Sequence, residues 1–308
     1  MTQAVIAHGS LGSMTQKTDV WTIKAALDWT QAYFERRGEE NPRLCAQTLL
    51  SATTGLSRID LYISFERPLD QSERDILHDA IVRRASGEPL QYIAGTTGFR
   101  HLTLQVNKGV LIPRPETEVL VDEALSFLAN KKMNTNNKPL VVDLCTGSAC
   151  IACAIASENS QAQLIATDID TQALKLAQKN ILQCGLEKRV ILSQGDLGDA
   201  VCASYHKKID LIVSNPPYIP TTLLDELPSE VSAFEPRRAL DGGADGLDFL
   251  RRIVVWAYQV LADKSALIVE LHEDSLDEAT CIAQTAGFSS IRVIEDLNKR
   301  PRFLFALR

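Results

Sequence analysis

Residues 208–218 read Lys-Ile-Asp-Leu-Ile-Val-Ser-Asn-Pro-Pro-Tyr, and this stretch limits the possible folds more than any other. Ile209, Leu211, Ile212 and Val213 form a short apolar run. Such a run suits a strand buried on both faces, as in a parallel sheet. Two prolines stop it, because proline cannot donate to a strand ladder. Asn215 is thereby predicted at the carboxyl end of a central strand, the edge where open α/β sheets bind ligands.

The residues at that edge point to a chemistry. Asn215 offers a carbonyl acceptor and an NH2 donor. Pro216 contributes a carbonyl with no competing N–H. Pro217 and Tyr218 offer flat apolar walls. Two acceptors beside an aromatic face suit a planar NH2 group with two hydrogens to give. With both hydrogens held, the nitrogen lone pair can turn toward an electrophile. The plainer alternative is a strand followed by a proline-rich turn with no chemical role. The Asn-Pro-Pro-Tyr motif resembles the signature of amino-group methyltransferases that use S-adenosyl-L-methionine, which implies a methyl-donor site upstream on the same sheet.

A matching upstream unit is present. Residues 139–144 form an apolar strand, Cys145, Thr146, Gly147, Ser148 and Ala149 a small-residue turn, and residues 151–157 an alanine-rich helix. Strand, small turn and helix is the setting of a nucleotide loop, where small residues allow close approach to the backbone. Asp168 follows the next apolar run, the usual place for an acid that holds a ribose diol. Asp196 and Leu197, after a third strand at 190–192, fall where such a fold holds adenine. Related loops read Asp-Leu-Gly-Thr-Gly-Ser-Gly, whereas here Cys145 and Ala149 replace two glycines. That argues against a dinucleotide pyrophosphate and leaves room for a phosphate-free nucleoside.

The whole chain sets further bounds. Its 308 residues, 45% hydrophobic and 23% charged, fit a soluble two-domain protein. No apolar run reaches the roughly 18 residues of a membrane span, and the start lacks the features of a secretory signal. Seven irregularly spaced cysteines suggest reduced thiols and a cytoplasmic location. Cys150 and Cys153 form a C-x-x-C, read as two small buried residues of the first crossover helix, because no second pair completes a metal site. A net charge of −7 argues against a broad nucleic-acid footprint. Nothing requires more than a monomer.

Along the chain, residues 1–17 lack periodicity and are expected to be a disordered extension. Residues 18–86 carry helical periodicity at 20–37, 42–53, 57–63 and onward from an Asp70/Glu73 capping box. They are expected to form a small helical bundle that docks a protein substrate. Residues 87–112 are expected to be a linker and a hairpin, with 102–106 and 110–112 paired around Asn107-Lys108-Gly109. A helix is predicted from Pro113 to about residue 132, with a loop at 134–138. Beyond Tyr218 a long proline-containing loop runs to a glycine-rich turn ending at Gly246. Helices at 247–261 and 274–286, a strand at 266–271 and a final hairpin complete an α/β pattern over 113–308.

With Pro-Arg-Pro-Glu-Thr-Glu (113–118), the 143–149 loop, Asn-Pro-Pro-Tyr (215–218) and the 235–246 segment in one order, the chain resembles the release-factor glutamine N5-methyltransferases. The resemblance covers nearly everything from residue 18 onward. It implies a Rossmann-like seven-stranded class I methyltransferase sheet, a small N-terminal helical domain and a linking β-hairpin. It implies methylation of the glutamine in the Gly-Gly-Gln loop of bacterial peptide-chain release factors. A sister family modifies a ribosomal protein and usually lacks the Pro-Glu-Thr-Glu. Adenine-N6 methyltransferases of nucleic acid use a similar motif but generally need a basic groove. By resemblance, Asn215 and the Pro216 carbonyl hold the substrate amide, Tyr218 and Pro217 wall it, residues 145–149 hold the methionine end, and Arg114 and Arg237 are candidate release-factor contacts.

Overall fold

The computed structural model describes residues 20–131 and 138–308. The expected extension at 1–17 and most of the loop at 134–138 lie outside the described residues. The chain divides into two units, Met1–Val82 and Arg83–Arg308.

In the first unit, α1 (Ile23–Glu35), α2 (Pro42–Thr54) and α3 (Arg58–Ile63) follow one another, and α4 (Gln71–Ala85) carries the division between units. Local chemistry sets their ends. Thr22 accepts the Ala25 N–H at 3.2 Å, Pro42 opens α2, and Gly55 closes it at φ +70°. Asp70 and Glu73 form the reciprocal capping box that the sequence predicts, with bonds of 2.8 and 3.0 Å. Ile23, Leu27, Phe34, Leu49, Leu50 and Leu61 are buried at the centre of the unit.

The second unit continues with α5 (Leu90–Ala94), the hairpin β1 (Thr96–Phe99) and β2 (Leu102–Gln105), and α6 (Thr117–Asn130). Then come β3 (Leu140–Leu144), α7 (Cys150–Glu158), β4 (Gln163–Asp168), α8 (Thr171–Gln183), β5 (Val190–Gln194) and β6 (Ile209–Ser214). A short α9 (Ser229–Ser232) precedes α10 (Asp248–Val260), β7 (Leu261–Glu270), α11 (Leu276–Thr285), β8 (Ser289–Glu295) and β9 (Pro301–Leu307). Seven strands form one sheet in the order β5-β4-β3-β6-β7-β9-β8. The first five run parallel, and β9 pairs antiparallel with both β7 and β8. The chain winds outward from β3 in one direction and from β6 in the other. The switch point between them opens a crevice at the carboxyl ends of β3 and β6.

Alternation along the strands divides the core. Val141, Leu211, Val213 and Ile268 pack under α6 and α7, whereas Val142, Ile212, Leu267 and Val269 pack under α10 and α11. Every residue of β6 is buried, as its apolar run requires. Cys153 is fully buried, and burial pushes the Cys150 thiol up to about 12, so both thiols stay protonated near neutral pH.

Four local expectations differ from the structure. The hairpin pairs Thr96 with Gln105 and Phe99 with Leu102, turning at Arg100-His101 rather than at Asn107-Lys108-Gly109. Arg100 holds φ +52° because Glu118 takes its N–H at 2.8 Å and its guanidinium bridges Asp122 and Glu158. These tertiary bonds outweigh the better local turn signal. Residues 110–112 are not a strand: Ile112 packs with Tyr92 and Val106, and Val110 with Ala173 and Leu176. Lastly, 90–94 of the expected linker is helical, and α6 starts at Thr117 rather than Pro113. Pro115 disfavours helical backbone at Arg114, which delays the start.

Candidate active site

The loop after β3 is shaped by three residues at positive φ: Cys145 at 58°, Gly147 at 55° and Ala149 at 63°. They are the three glycine positions of the Asp-Leu-Gly-Thr-Gly-Ser-Gly pattern that this loop resembles. Two side chains therefore occupy backbone that L-residues rarely adopt, a cost of roughly 1–2 kcal/mol each. The surroundings hold the loop in place. The Thr146 N–H donates to the Thr167 carbonyl at 2.9 Å, and the Thr146 hydroxyl to Asp143 Oδ2 at 2.6 Å. The buried Asn180 of α8 donates to the Ser148 carbonyl at 2.9 Å and takes the Gln105 N–H at 2.7 Å, which joins loop and hairpin. Burial pushes the Asp143 carboxyl up to about 7.

Asp168 ends β4 and faces that loop. Its carboxylate accepts the Gly147 and Asp170 N–H groups, both at 2.9 Å. Burial raises its pKa, and those two amides pull it back. Leu197 holds φ +51°, and its carbonyl takes the Thr167 hydroxyl at 3.2 Å.

A cavity of about 310 Å³ opens at this edge. Its walls include Cys145, Thr146, Gly147, Ser148, Asp168, Asp196, Leu197, Asn215 and Pro217, so the fold brings most of the sequence-derived site into one cleft. Ala149, Pro216 and Tyr218 do not line it. Ala149 is fully buried beneath the loop, and Pro216 is buried at the end of β6. Among the described residues, no backbone amide donates to the Pro216 carbonyl.

Tyr218 is anchored from behind. Its hydroxyl donates to Glu270 Oε1 at 3.0 Å. Thr117, the first residue of α6, donates its hydroxyl to Glu270 Oε2 at 2.7 Å. Asn215 Nδ2 donates to Thr117 Oγ1 at 3.1 Å. Burial raises the Glu270 pKa, while the two hydroxyls and the Arg302 charge lower it. Sequence reasoning missed both Thr117 and Glu270. A signal for Glu270 exists: it is an acid ending an apolar strand at the carboxyl edge, the position type of Asp168. Thr117 falls within the Pro-Arg-Pro-Glu-Thr-Glu stretch, which marks the segment but assigns the threonine itself no role.

The segment after Tyr218 folds back onto the motif. The Ile219 N–H donates to the Leu240 carbonyl at 2.9 Å, and the Gly242 N–H to the Ile219 carbonyl at 2.8 Å. A β-carbon on Gly242 would lie 2.7 Å from Tyr218 Cα.

The cleft also contains three arginines that sequence reasoning did not place there together. Arg114 pairs with the buried Glu235, Arg238 with Asp170 at 3.3 Å, and Arg252 with Asp196 at 2.6 Å. Each cation is matched by a carboxylate, which leaves a poor cradle for a phosphate. A braced acid for a diol, an apolar wall of Ile169, Leu197 and Phe249 for a flat ring, and small loop residues fit a phosphate-free nucleoside. Arg237 lies outside this set, mostly exposed and 3.5 Å from Asp241.

Comparison with known proteins agrees with this geometry. Residues 25–95 match the family model of the PrmC N-terminal domain, and residues 117–225 that of the methyltransferase small domain. The chain is 42% identical over 285 residues to the release factor glutamine methyltransferase of Geobacter sulfurreducens, covering 92% of this chain and 96% of that protein. It is 37% identical to the protein of the same name from Rhodopirellula baltica, covering 94% and 97%. Among solved structures, the hMettl16 catalytic domain in complex with an RNA hairpin superposes with a TM-score of 0.52 at 16% identity, covering 76% of this chain and 79% of that one. The N-terminal domain of human METTL16 in complex with SAH gives 0.50 at 17% identity, covering 75% and 82%. At such identity these two show a shared fold alone.

Proposed function

The chain belongs to the release factor glutamine methyltransferase family, and on that premise we propose that it methylates the side-chain amide nitrogen of the glutamine in the Gly-Gly-Gln motif of bacterial release factors. The observation that carries this reading is the position of Asn215. It stands at the carboxyl end of β6, in the wall of the same cleft as Asp168 and the 145–148 loop.

S-adenosylmethionine supplies the methyl group, carried on an electrophilic sulfonium. Asp168 is suited to hold its ribose diol, the 145–148 loop its methionine end, and Leu197 with Phe249 its adenine. Asn215 Oδ1, in the cleft wall, would accept one hydrogen of the substrate amide; the Pro216 carbonyl, outside that wall but without a backbone donor among the described residues, is assigned the other. Pro217 lines the cleft beside them, and Tyr218 fixes the turn from behind. An amide nitrogen is a weak nucleophile because its lone pair is delocalised into its own carbonyl. Acceptors that strengthen as the nitrogen turns pyramidal favour the transition state over the ground state. Holding the amide in place removes much of the entropic cost of the encounter. No general base is required, since an alkylated amide nitrogen loses its proton readily.

The helical residues 18–86 would dock the release factor, with 113–308 forming the methyltransferase domain. The enzyme would act in the bacterial cytoplasm as a monomer, without direct contact to nucleic acid. Its net charge of −7 supports the last point.

The test incubates the protein and its Asn215→Ala variant with methyl-labelled S-adenosylmethionine. The acceptors are a release factor, its Gly-Gly-Gln→Gly-Gly-Ala variant, and duplex nucleic acid. Label is expected on the intact release factor alone, and at least 100-fold more slowly with Asn215→Ala, which should still bind cofactor. Label on nucleic acid, or on the Gly-Gly-Ala variant, would overturn the reading.

A further inference from the structure

The hydrogen bonds behind Asn215 run in one direction when Glu270 is ionised, the state in which both hydroxyls donate to it. A carboxylate has only acceptor positions, and a threonine hydroxyl has one hydrogen. Glu270, 1% exposed at the end of β7, receives the Tyr218 hydroxyl at 3.0 Å and the Thr117 hydroxyl at 2.7 Å. With its hydrogen committed to Glu270, Thr117 Oγ1 can only accept. The group of Asn215 that faces it at 3.1 Å is therefore the NH2. The side-chain carbonyl of Asn215 must then point away from Thr117. Thr117 is 1% exposed and Asn215 half-buried, so water has little access to reverse this order.

We propose that Glu270 is a positioning residue which, through Thr117, fixes the Asn215 amide so that Oδ1 and not Nδ2 meets the substrate. This inference rests on the reading of Asn215 as the residue that holds the substrate amide. Its physical content is separate: one buried carboxylate sets the polarity of three residues from two segments, the start of α6 and the turn after β6. If the relay were reversed, Asn215 would present a donor to an NH2 group, and neither could bond the other. The site would lose its selectivity for a nitrogen with hydrogens to give, because a polar group built for one partner rejects the wrong one at considerable cost. The same carboxylate also takes the Tyr218 hydroxyl proton, which keeps that donor out of the cleft. Glu270 itself touches no substrate; it acts on Asn215 only through Thr117.

The experiment compares Thr117→Val, Glu270→Met, their double variant and Thr117→Ser in the full chain. Valine removes the relay hydroxyl at nearly constant volume. Methionine removes the acceptor, leaving Thr117 free to turn its hydrogen toward Asn215. Each single variant is expected to lower kcat about 100-fold, the scale of one lost transition-state hydrogen bond. KM for the release factor and Kd for the cofactor should stay within about threefold, as befits an interaction expressed in the transition state. The double variant should be no worse than Glu270→Met alone, because Thr117→Val breaks a relay that Glu270→Met has already broken, while Glu270→Met also releases Tyr218. Thr117→Ser restores the hydroxyl and should recover turnover to within about fivefold of wild type.

Wild-type turnover in Thr117→Val, a loss in Thr117→Ser equal to that in Thr117→Val, or losses that multiply in the double variant would each overturn the proposal. So would a loss of cofactor affinity that parallels the loss of turnover. A second readout needs no turnover at all. The side-chain amide resonance of isotope-labelled Asn215, assigned by its absence in Asn215→Ala, should move in Thr117→Val and Glu270→Met and stay in place in Thr117→Ser. An unmoved resonance in the first two overturns the relay even where methylation of the release factor is secure. A moved resonance with no methylation by wild type upholds the relay and sinks the functional reading instead.

Discussion

Ala149 holds φ +63° and is fully buried, so two opposing costs meet at one residue. Glycine would relieve roughly 1–2 kcal/mol of backbone strain. It would forfeit about 0.8 kcal/mol for a buried methyl and about 0.4–1 kcal/mol through the freer unfolded chain. Ala149→Gly is therefore expected to leave stability within about 1 kcal/mol of wild type, whereas Ala149→Val, branched and without space, should cost more than about 2 kcal/mol. Urea unfolding of both variants checks this. Asp143 sets a pH dependence. Burial raises its carboxyl to about 7; the Thr146 hydroxyl and the Ala152 N–H oppose this, and the Asp168 charge adds to it. A carboxyl with a raised folded pKa contributes stability below its unfolded pKa, near 4, that is lost as pH rises through 7. Three pKa units correspond to roughly 4 kcal/mol at most. The stability of Asp143→Asn relative to wild type should therefore climb between about pH 4 and 7 and level off above. Urea midpoints for both proteins at several pH values in that range measure it; a constant difference would contradict the assignment.

At the scale of elements, the motif strand depends on a segment distant in sequence. The 240–243 turn pairs with Ile219 and Thr221, with the Thr221 N–H donating to the Gly243 carbonyl at 2.9 Å and its hydroxyl to Asp241 at 2.6 Å. Gly242 has ordinary backbone angles, so its requirement for glycine is contact and not conformation. An added β-carbon would meet Tyr218 Cα at 2.7 Å and its carbonyl carbon at 2.8 Å. Neither is the end of a flexible side chain, so the turn after β6 has to shift. Misplacement of a reacting group by about 1 Å can cost a factor near 100. Gly242→Ala is expected to lower kcat by at least tenfold while cofactor affinity changes less than threefold, since most of the residues proposed to hold the cofactor lie in the loops after β3, β4 and β5. Steady-state kinetics with a release factor, beside calorimetric titration of the cofactor, separates the two. Unchanged kcat would mean that the turn tolerates the shift.

For the whole molecule, every wall of the cleft comes from the Arg83–Arg308 unit. A ligand at 100 times its Kd stabilises its binding unit by about 2.7 kcal/mol. Hydrogen exchange with cofactor present should slow at 145–149, 168–170, 196–198 and at Asn215, and remain unchanged in α1, α2 and α3. Asp168→Ala should reduce this protection; equal slowing in wild type and variant would refute the ribose role. The succession of apolar runs along the chain, the place of Asn215 at a buried strand end, the small-residue loop and the Asp70/Glu73 cap follow from sequence alone, because each rests on periodicity or on neighbours within a few residues. The hairpin register and the Asn215–Thr117–Glu270–Tyr218 chain were decided only in three dimensions. Thr117 and Glu270 stand 153 residues apart, and no local pattern links an ordinary threonine in a first turn to an acid at the end of a strand. The tertiary fold brings them within 2.7 Å, and burial there leaves these polar groups to bond one another and the Asn215 and Tyr218 side chains.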